Sequence, residues 1–377
     1  MSGRTEVDAK QDKTCGVCFT KKENIVPCGS GARKTKNQCF PNEGLEGVGH
    51  GTWRASAGSG HENDFFGDSK RGAKIDILLD MDVRSYARLP TEKPHPRSAG
   101  LDRLSPGGQF DLMNQDNFAA AKAVASVKRD VLRAVNLLVD RMSRGGRVFL
   151  VGAGTSGRLC VLEAAECPPT FGTSPTLVQA LMAGGRPSVF RSKEGAEDQA
   201  QELEKKLGSL LQPSDVVVAV AASGVTAFAG AALVLARRRR AATVFVTCNP
   251  QSSVPADARV RLRTGPEVLA GSTRLKAGTA TKMILNMLTT LTMVRLGKVY
   301  GPWMVDLQPR SKKLVARATH LISLLGRTST AEAASLLRRS GGKVKTAIVM
   351  ARHGVSRFEA ERRLVQAGGF LREVLIP

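Results

Sequence analysis

The chain has 377 residues, 42% of them hydrophobic, which is enough for one large domain or two modest ones with a sizeable core. No apolar run reaches the ~18 residues of a membrane span, so an integral membrane protein is not expected. The formal net charge of +23 admits nucleic acid or acidic metabolites as partners, but aromatic residues make up only 5%, leaving little to stack on bases, and the charge is spread apart from a short block at Arg237–Arg240. Specific nucleic-acid recognition is therefore not expected.

Residues 1–90 are rich in Gly, Ser, Lys, Asn and charge and show no sustained period of 2 or 3.6. They read as a disordered extension. Cys15, Cys18, Cys28 and Cys39 present four thiolates for zinc, but ten residues separate the second pair, so no compact knuckle forms and incidental cysteines fit better. The first residues are polar and include acids, which argues against a secretory leader and for a cytoplasmic protein. Cys160, Cys167 and Cys248 lie in apolar surroundings and read as buried small hydrophobes.

The prolines of Thr91–Ser105 make it an extended arm. Apolar residues at helical spacing predict a long amphipathic helix over Asn117–Arg144, ended by Gly145-Gly146. Short apolar runs then alternate with helical stretches. Val148–Val151, Leu177–Ala183, Val216–Ala221 and Thr243–Thr247 suit strands buried on both faces; Gly157–Ala165, Ala196–Leu211 and Thr226–Arg240 suit helices. This alternation predicts an α/β fold, a parallel sheet with helices on both faces and ligands at the carboxyl ends of the strands. Lys276–Leu296 is a second long helix. After Pro309 come short helical pieces at Ala331–Arg339, Lys343–Met350 and Arg357–Gln366, punctuated by glycines. The expected division is 1–90, an extension; 91–310, the α/β domain with its arm; and 311–377, a small helical domain.

The stretch Phe149–Phe171 carries the strongest local signal. An apolar strand runs into Gly152-Ala153-Gly154-Thr155-Ser156-Gly157 and on into a helix. Glycines let the backbone turn tightly and approach an anion, while hydroxyls and free N–H groups at the helix start point at it. The same order fits a dinucleotide fingerprint, which wants an acid after the next strand. That run, Leu177–Ala183, ends in Gly184-Gly185 with no carboxylate. A sugar phosphate held by Gly154, Thr155 and Ser156 is therefore the better reading than NAD.

Gly152–Phe171 also closely resembles the N-acetylmuramic acid 6-phosphate etherases, a family built on the sugar isomerase (SIS) fold. Further similar stretches follow in order: Glu194–Asp198, Ala222–Gly224, Cys248–Pro250, Gly265–Ala280, Asn286–Thr290 and Gly297–Asp306. The resemblance runs from about Thr91 to the C-terminus and leaves out the head. It implies a three-layer SIS domain with a small C-terminal helical domain, typically a homodimer, acting on a small sugar phosphate with no metal or redox cofactor.

The implied reaction removes a lactyl group from C3 of a sugar 6-phosphate. A carboxylate takes the C2 proton of the open-chain aldehyde, and a carboxylic acid protonates the departing lactate oxygen. Glu197 and Glu166 match the family's catalytic positions, as base and acid respectively. Glu166 follows the expected first helix beside weakly polar neighbours, where desolvation would keep it protonated; Glu197 is near a helix start, which favours a carboxylate. Ser223, Gly224 and Thr226 are expected to form a second anion loop, although Val225 stands where the family commonly has Arg, and Ala165 where it usually has Ser. Ser272, Thr273 and Glu267 are further ligand candidates, Glu267 toward a neighbouring subunit. A non-catalytic sensor of the glucokinase-regulatory type and an aldose–ketose isomerase are the rival readings.

Overall fold

A computed structural model describes residues 83–376. The expectations for Cys15, Cys18, Cys28, Cys39 and most of the 1–90 extension lie outside those residues. Val83–Ala87, at the end of that stretch, forms a short helix, α1.

The arm after α1 is a succession of turns with a 3-10 turn at Leu101–Arg103. Ser105 then caps α2, Pro106–Ser126, by accepting from the Gly108 amide; proline at the first helical position costs no hydrogen bond there. α3, Lys128–Ser143, follows after a break at Val127. The single helix expected over Asn117–Arg144 is thus two helices, the first starting eleven residues earlier. The first half of α2 has few apolar residues, and Phe110 and Met113 are exposed, so no buried apolar stripe announced it.

Five strands follow: β1, Val148–Gly152; β2, Val178–Met182; β3, Val216–Val220; β4, Ala242–Thr247; and β5, Ala258–Arg261. All pair in parallel in the order β2-β1-β3-β4-β5. The central strands β1, β3 and β4 are buried throughout, as their continuous apolar runs require. The edges differ. β2 is half-exposed along its middle, and β5 alternates buried Ala258 and Val260 with exposed Arg259 and Arg261. The short alternation of β5 was too brief to stand out as a strand.

The connecting helices are α4, Gly154–Phe171; α5, Pro187–Phe190; α6, Ala200–Leu207; α7, Ala227–Arg238; and α8, Lys276–Arg295. Successive strand residues face opposite sides. Val148, Leu150, Val216, Val218, Val244 and Val246 pack in one core with residues of α3, α4 and α8, such as Leu138, Cys160 and Leu285. Phe149, Val151 and Val217 pack on the other face with Leu203 and Leu207 of α6 and Phe228 and Leu235 of α7. The arrangement is the expected three-layer α/β sandwich.

The expected helix over Ala196–Leu211 is a 3-10 turn, Ala196–Asp198, followed by the shorter α6. In contrast, α4 runs six residues past the expected Ala165, straight through Pro168 and Pro169 to an αL cap at Gly172. Two prolines remove hydrogen bonds and cost roughly 3 kcal/mol each in a helix interior. Burial of Cys167 and Phe171 in the sheet core offsets that cost.

The C-terminal part is helical: α9, Lys312–Gly326; α10, Thr330–Arg339; α11, Val344–His353; α12, Arg357–Gln366; and α13, Leu371–Leu375. These helices share a core of their own that includes Ile322, Leu336, Ile348 and Leu371. α9 and α13 had not been expected from the sequence. Lys345 is buried and ion-paired with Asp306, which also meets Lys298 after α8. No helix among the described residues is long and apolar enough to cross a membrane.

Candidate active site

The glycine turn after β1 is built by close packing. Gly154 has φ +52, a left-handed conformation that only glycine adopts without strain, and nothing lies near where its Cβ would be. Gly157 serves a different purpose. A Cβ there would sit 2.6 Å from Met182 Cγ and 2.7 Å from the Gly152 carbonyl oxygen, so glycine lets α4 press directly on β1 and β2. The first backbone bond of α4 runs from the Gly157 amide to the Ala153 carbonyl, and no side chain caps the helix. The amides of its first turn are left to bind an anion.

A second loop approaches from β3. Gly224 has φ +78 and turns the chain between Ser223 and Thr226, the N-cap of α7, whose first-turn amides also lack a side-chain cap. The loop is braced from behind: Asn249 Nδ2 donates to the Ser223 carbonyl at 3.0 Å, and Ser252 Oγ to the Gly224 carbonyl at 3.2 Å. A Cβ on Gly224 would crowd Ser252, Thr247 and Asn249. Gly224 therefore shapes the loop rather than lining the cavity.

Between these loops lies a cavity of about 190 Å³. Thr155, Ser156, Ser223, Thr226 and Thr273 supply hydroxyls, and Gly154, Gly271 and Ala153 bring backbone close. Two helix N-termini, each worth roughly half a positive charge, face it. Among the described residues, no Lys, Arg or His lines it. Hydroxyls and helix amides are thus what this cavity offers to an anion, and valine at position 225 adds no charge to it.

Glu197 also lines the cavity, exposed on its 3-10 turn after Gly195 in a left-handed conformation. Two further residues line it that had not been assigned to the site: Tyr86 of α1 and Glu92 of the arm. Burial, and then the neighbouring Glu92 and Glu197, push the Tyr86 phenol above its ordinary value. The Gly271 amide donates to the Thr91 carbonyl at 3.0 Å, which folds the arm onto the loop before α8. That contact joins residues far apart in sequence, and nothing local announces it.

Glu166 stands elsewhere. It lies inside α4, exposed, twelve residues after Gly154, hence about 18 Å along the helix axis from the anion loop. The expected desolvated environment belongs instead to Glu163, one turn earlier. Glu163 is 6% exposed, accepts from Asn286 Nδ2 at 2.6 Å and from the Thr289 hydroxyl, and burial raises its carboxyl above the usual range. Within one chain Glu166 and Glu197 are not brought together.

Glu267 and Ser272 do not line the cavity either. Glu267 is fully buried and accepts from the Lys276 and Ala277 amides at 3.0 and 2.7 Å, capping α8; burial raises its carboxyl despite those bonds. Next to it, Lys276 Nζ meets Asp116 at 2.9 Å and the Pro266 carbonyl at 2.7 Å, and His95 Nε2 meets Asp116 at 3.2 Å. This cluster ties arm, α2 and α8 together beneath the cavity loop. Cys160, Cys167 and Cys248 are free and buried. Burial pushes the Cys167 thiol up to about 12 and that of Cys248 up to about 11, so neither serves as a nucleophile.

Two family models match: the glucokinase regulatory protein N-terminal SIS domain over residues 130–237, and the SIS domain over 197–291. Between them they span the cavity's main loops. The N-acetylmuramic acid 6-phosphate etherase of Synechocystis sp. is 46% identical over 296 residues, 78% of this chain and 97% of its own. The chain belongs to the N-acetylmuramic acid 6-phosphate etherase family. The etherase of Geobacillus thermodenitrificans is 45% identical, covering 76% of this chain and 98% of its own. A phosphoheptose isomerase from Francisella tularensis is a structural neighbour with TM-score 0.40 and 16% identity, over 52% of this chain and 99% of that one. The etherase-family match takes in nearly the whole length of each of these relatives.

Proposed function

We propose that this chain cleaves the D-lactyl ether of N-acetylmuramic acid 6-phosphate, giving N-acetylglucosamine 6-phosphate and D-lactate. The observation that carries this reading is Glu197 in the wall of a cavity lined by the hydroxyls of two uncapped helix starts. The phosphate sits at the N-termini of α4 and α7, bonded by Thr155, Ser156, Ser223 and Thr226. Anchored there, the open-chain sugar presents C2 to Glu197. Glu197 takes the C2 proton, the electron pair moves toward the C1 aldehyde, and the resulting enolate expels lactate from C3. A carboxylic acid gives the leaving oxygen its proton, and water then adds at C3.

Glu166 is the acid of this scheme, and its distance along α4 from the glycine turn supports a reading in which it serves a partner's cavity. We therefore read the functional unit as a homodimer in which α4 of one protomer faces the site of the other. The exposed Leu162 on α4 and Met287 and Leu291 on α8 supply apolar surface for such a contact. The direct test is incubation with N-acetylmuramic acid 6-phosphate. Stoichiometric free D-lactate is expected; tight binding without lactate would favour the sensor reading, and an aldose–ketose product without lactate the isomerase.

A further inference from the structure

Glu92 is a carboxylate in a cavity built of hydroxyls and helix starts, and among the described residues no cationic side chain lines that cavity to balance it. A negative group near a bound phosphate weakens phosphate binding, so its place there needs another use. Its two oxygens are in different situations. Oε1 accepts from the Thr91 hydroxyl at 2.9 Å. Oε2 points at Gly271, where an added Cβ would stand 3.0 Å away, so the glycine keeps that oxygen uncovered on the cavity side. Gly271 has φ +76, which suits only glycine.

The carboxylate is also held rigidly. Thr91 is 1% exposed, the Glu92 amide donates to the Leu89 carbonyl, and the arm continues to His95 in its buried contact with Asp116. The Tyr86 phenol lines the same cavity, and burial and then the neighbouring Glu92 push it above its ordinary value, so it stays protonated. An ionised carboxylate accepts only, and its natural partners in such a cavity are hydroxyl groups.

We infer that Glu92, oriented by Thr91, accepts hydrogen bonds from the sugar hydroxyls of a phosphorylated hexose and so separates sugar phosphates from free phosphate. This rests on the proposed sugar-phosphate reading of the same cavity but requires no catalysis.

The test is a pair of titrations, with N-acetylglucosamine 6-phosphate and with inorganic phosphate, on wild type, Glu92→Gln and Glu92→Asp. Hydrogen bonds to charged groups predict a loss of roughly 10- to 100-fold in sugar-phosphate affinity for Glu92→Gln, with inorganic phosphate bound as well as or better than by wild type. Glu92→Asp keeps the charge but withdraws the oxygens, and should lose sugar-phosphate affinity about tenfold or more while leaving inorganic phosphate unchanged. Equal losses for both ligands would make Glu92 a support for the loop only. Unchanged sugar-phosphate affinity in both variants would remove it from the site. If wild type binds the sugar phosphate yet releases no lactate from the muramic substrate, the etherase reading fails while this one stands.

Discussion

Gly157→Ala separates the two reasons for a glycine in the anion loop. Alanine is favoured over glycine in a helix by about 1 kcal/mol, so on propensity alone the change would stabilise α4. The geometry opposes it. The new Cβ would meet Met182 Cγ at 2.6 Å and the Gly152 carbonyl oxygen at 2.7 Å. Met182 is a flexible side chain and can turn aside, but Gly152 is backbone in a fully buried strand and cannot. Overpacking of this kind costs about 1–3 kcal/mol, which exceeds or cancels the propensity gain. We expect a net loss of up to about 2 kcal/mol by urea unfolding. Lifting the start of α4 off β1 also moves its amides, so inorganic phosphate affinity should fall with stability. A variant as stable as wild type with unchanged phosphate affinity would refute the close-packing argument.

Other outcomes follow from the buried charges and thiols. Lys276→Met leaves Asp116 buried without its main partner and should cost about 3–5 kcal/mol in unfolding free energy; a cost below about 1 kcal/mol would show the cluster to be solvated. Burial raises Glu163, so its native carboxyl binds a proton more readily than the unfolded one: the stability this gives is full below the ordinary carboxylate range near pH ~4 and is lost as pH rises through the higher native value. Glu163→Gln should therefore gain on wild type in urea midpoint between pH ~4 and pH ~7, and a constant difference would contradict the assignment. Cys160, Cys167 and Cys248 should label with a thiol reagent only on unfolding, and rapid native labelling of any of them would show the core to be open. Mixed and reassociated Glu166→Gln and Glu197→Gln protomers should regain about a quarter of wild-type activity, because half the dimers then carry one intact site; no recovery would place both groups in one chain's site.

The layers, the three inner strands with the edge strand β2, and both glycine-hydroxyl loops were legible because each has a local signature. Buried parallel strands are continuous apolar runs, and the loops follow them as Gly and hydroxyl residues. What escaped lay in tertiary context. The prolines at 168 and 169 read as a helix end because propensity cannot see the core that holds Phe171 and Cys167 in place. Glu166 was thereby put in a desolvated turn, when α4 carries it, exposed, well away from the cavity. Conversely, Tyr86 sits in the short α1 and Glu92 in an arm with no periodicity, and the arm's fold onto Gly271 has no local signal. Glu267 read as a ligand from its position in a similar loop, whereas the structure spends it on the α8 amides.

The central claim is that Glu197 abstracts the C2 proton at the cavity described. The decisive measurement follows N-acetylmuramic acid 6-phosphate in heavy water, reading deuterium at C2 and free lactate together for wild type, Glu197→Gln and Glu166→Gln. Glu197→Gln should neither exchange the C2 hydrogen nor release lactate, while Glu166→Gln should still exchange and release lactate ~10²–10⁴-fold more slowly. C2 exchange and lactate release at wild-type rates in Glu197→Gln would contradict the account.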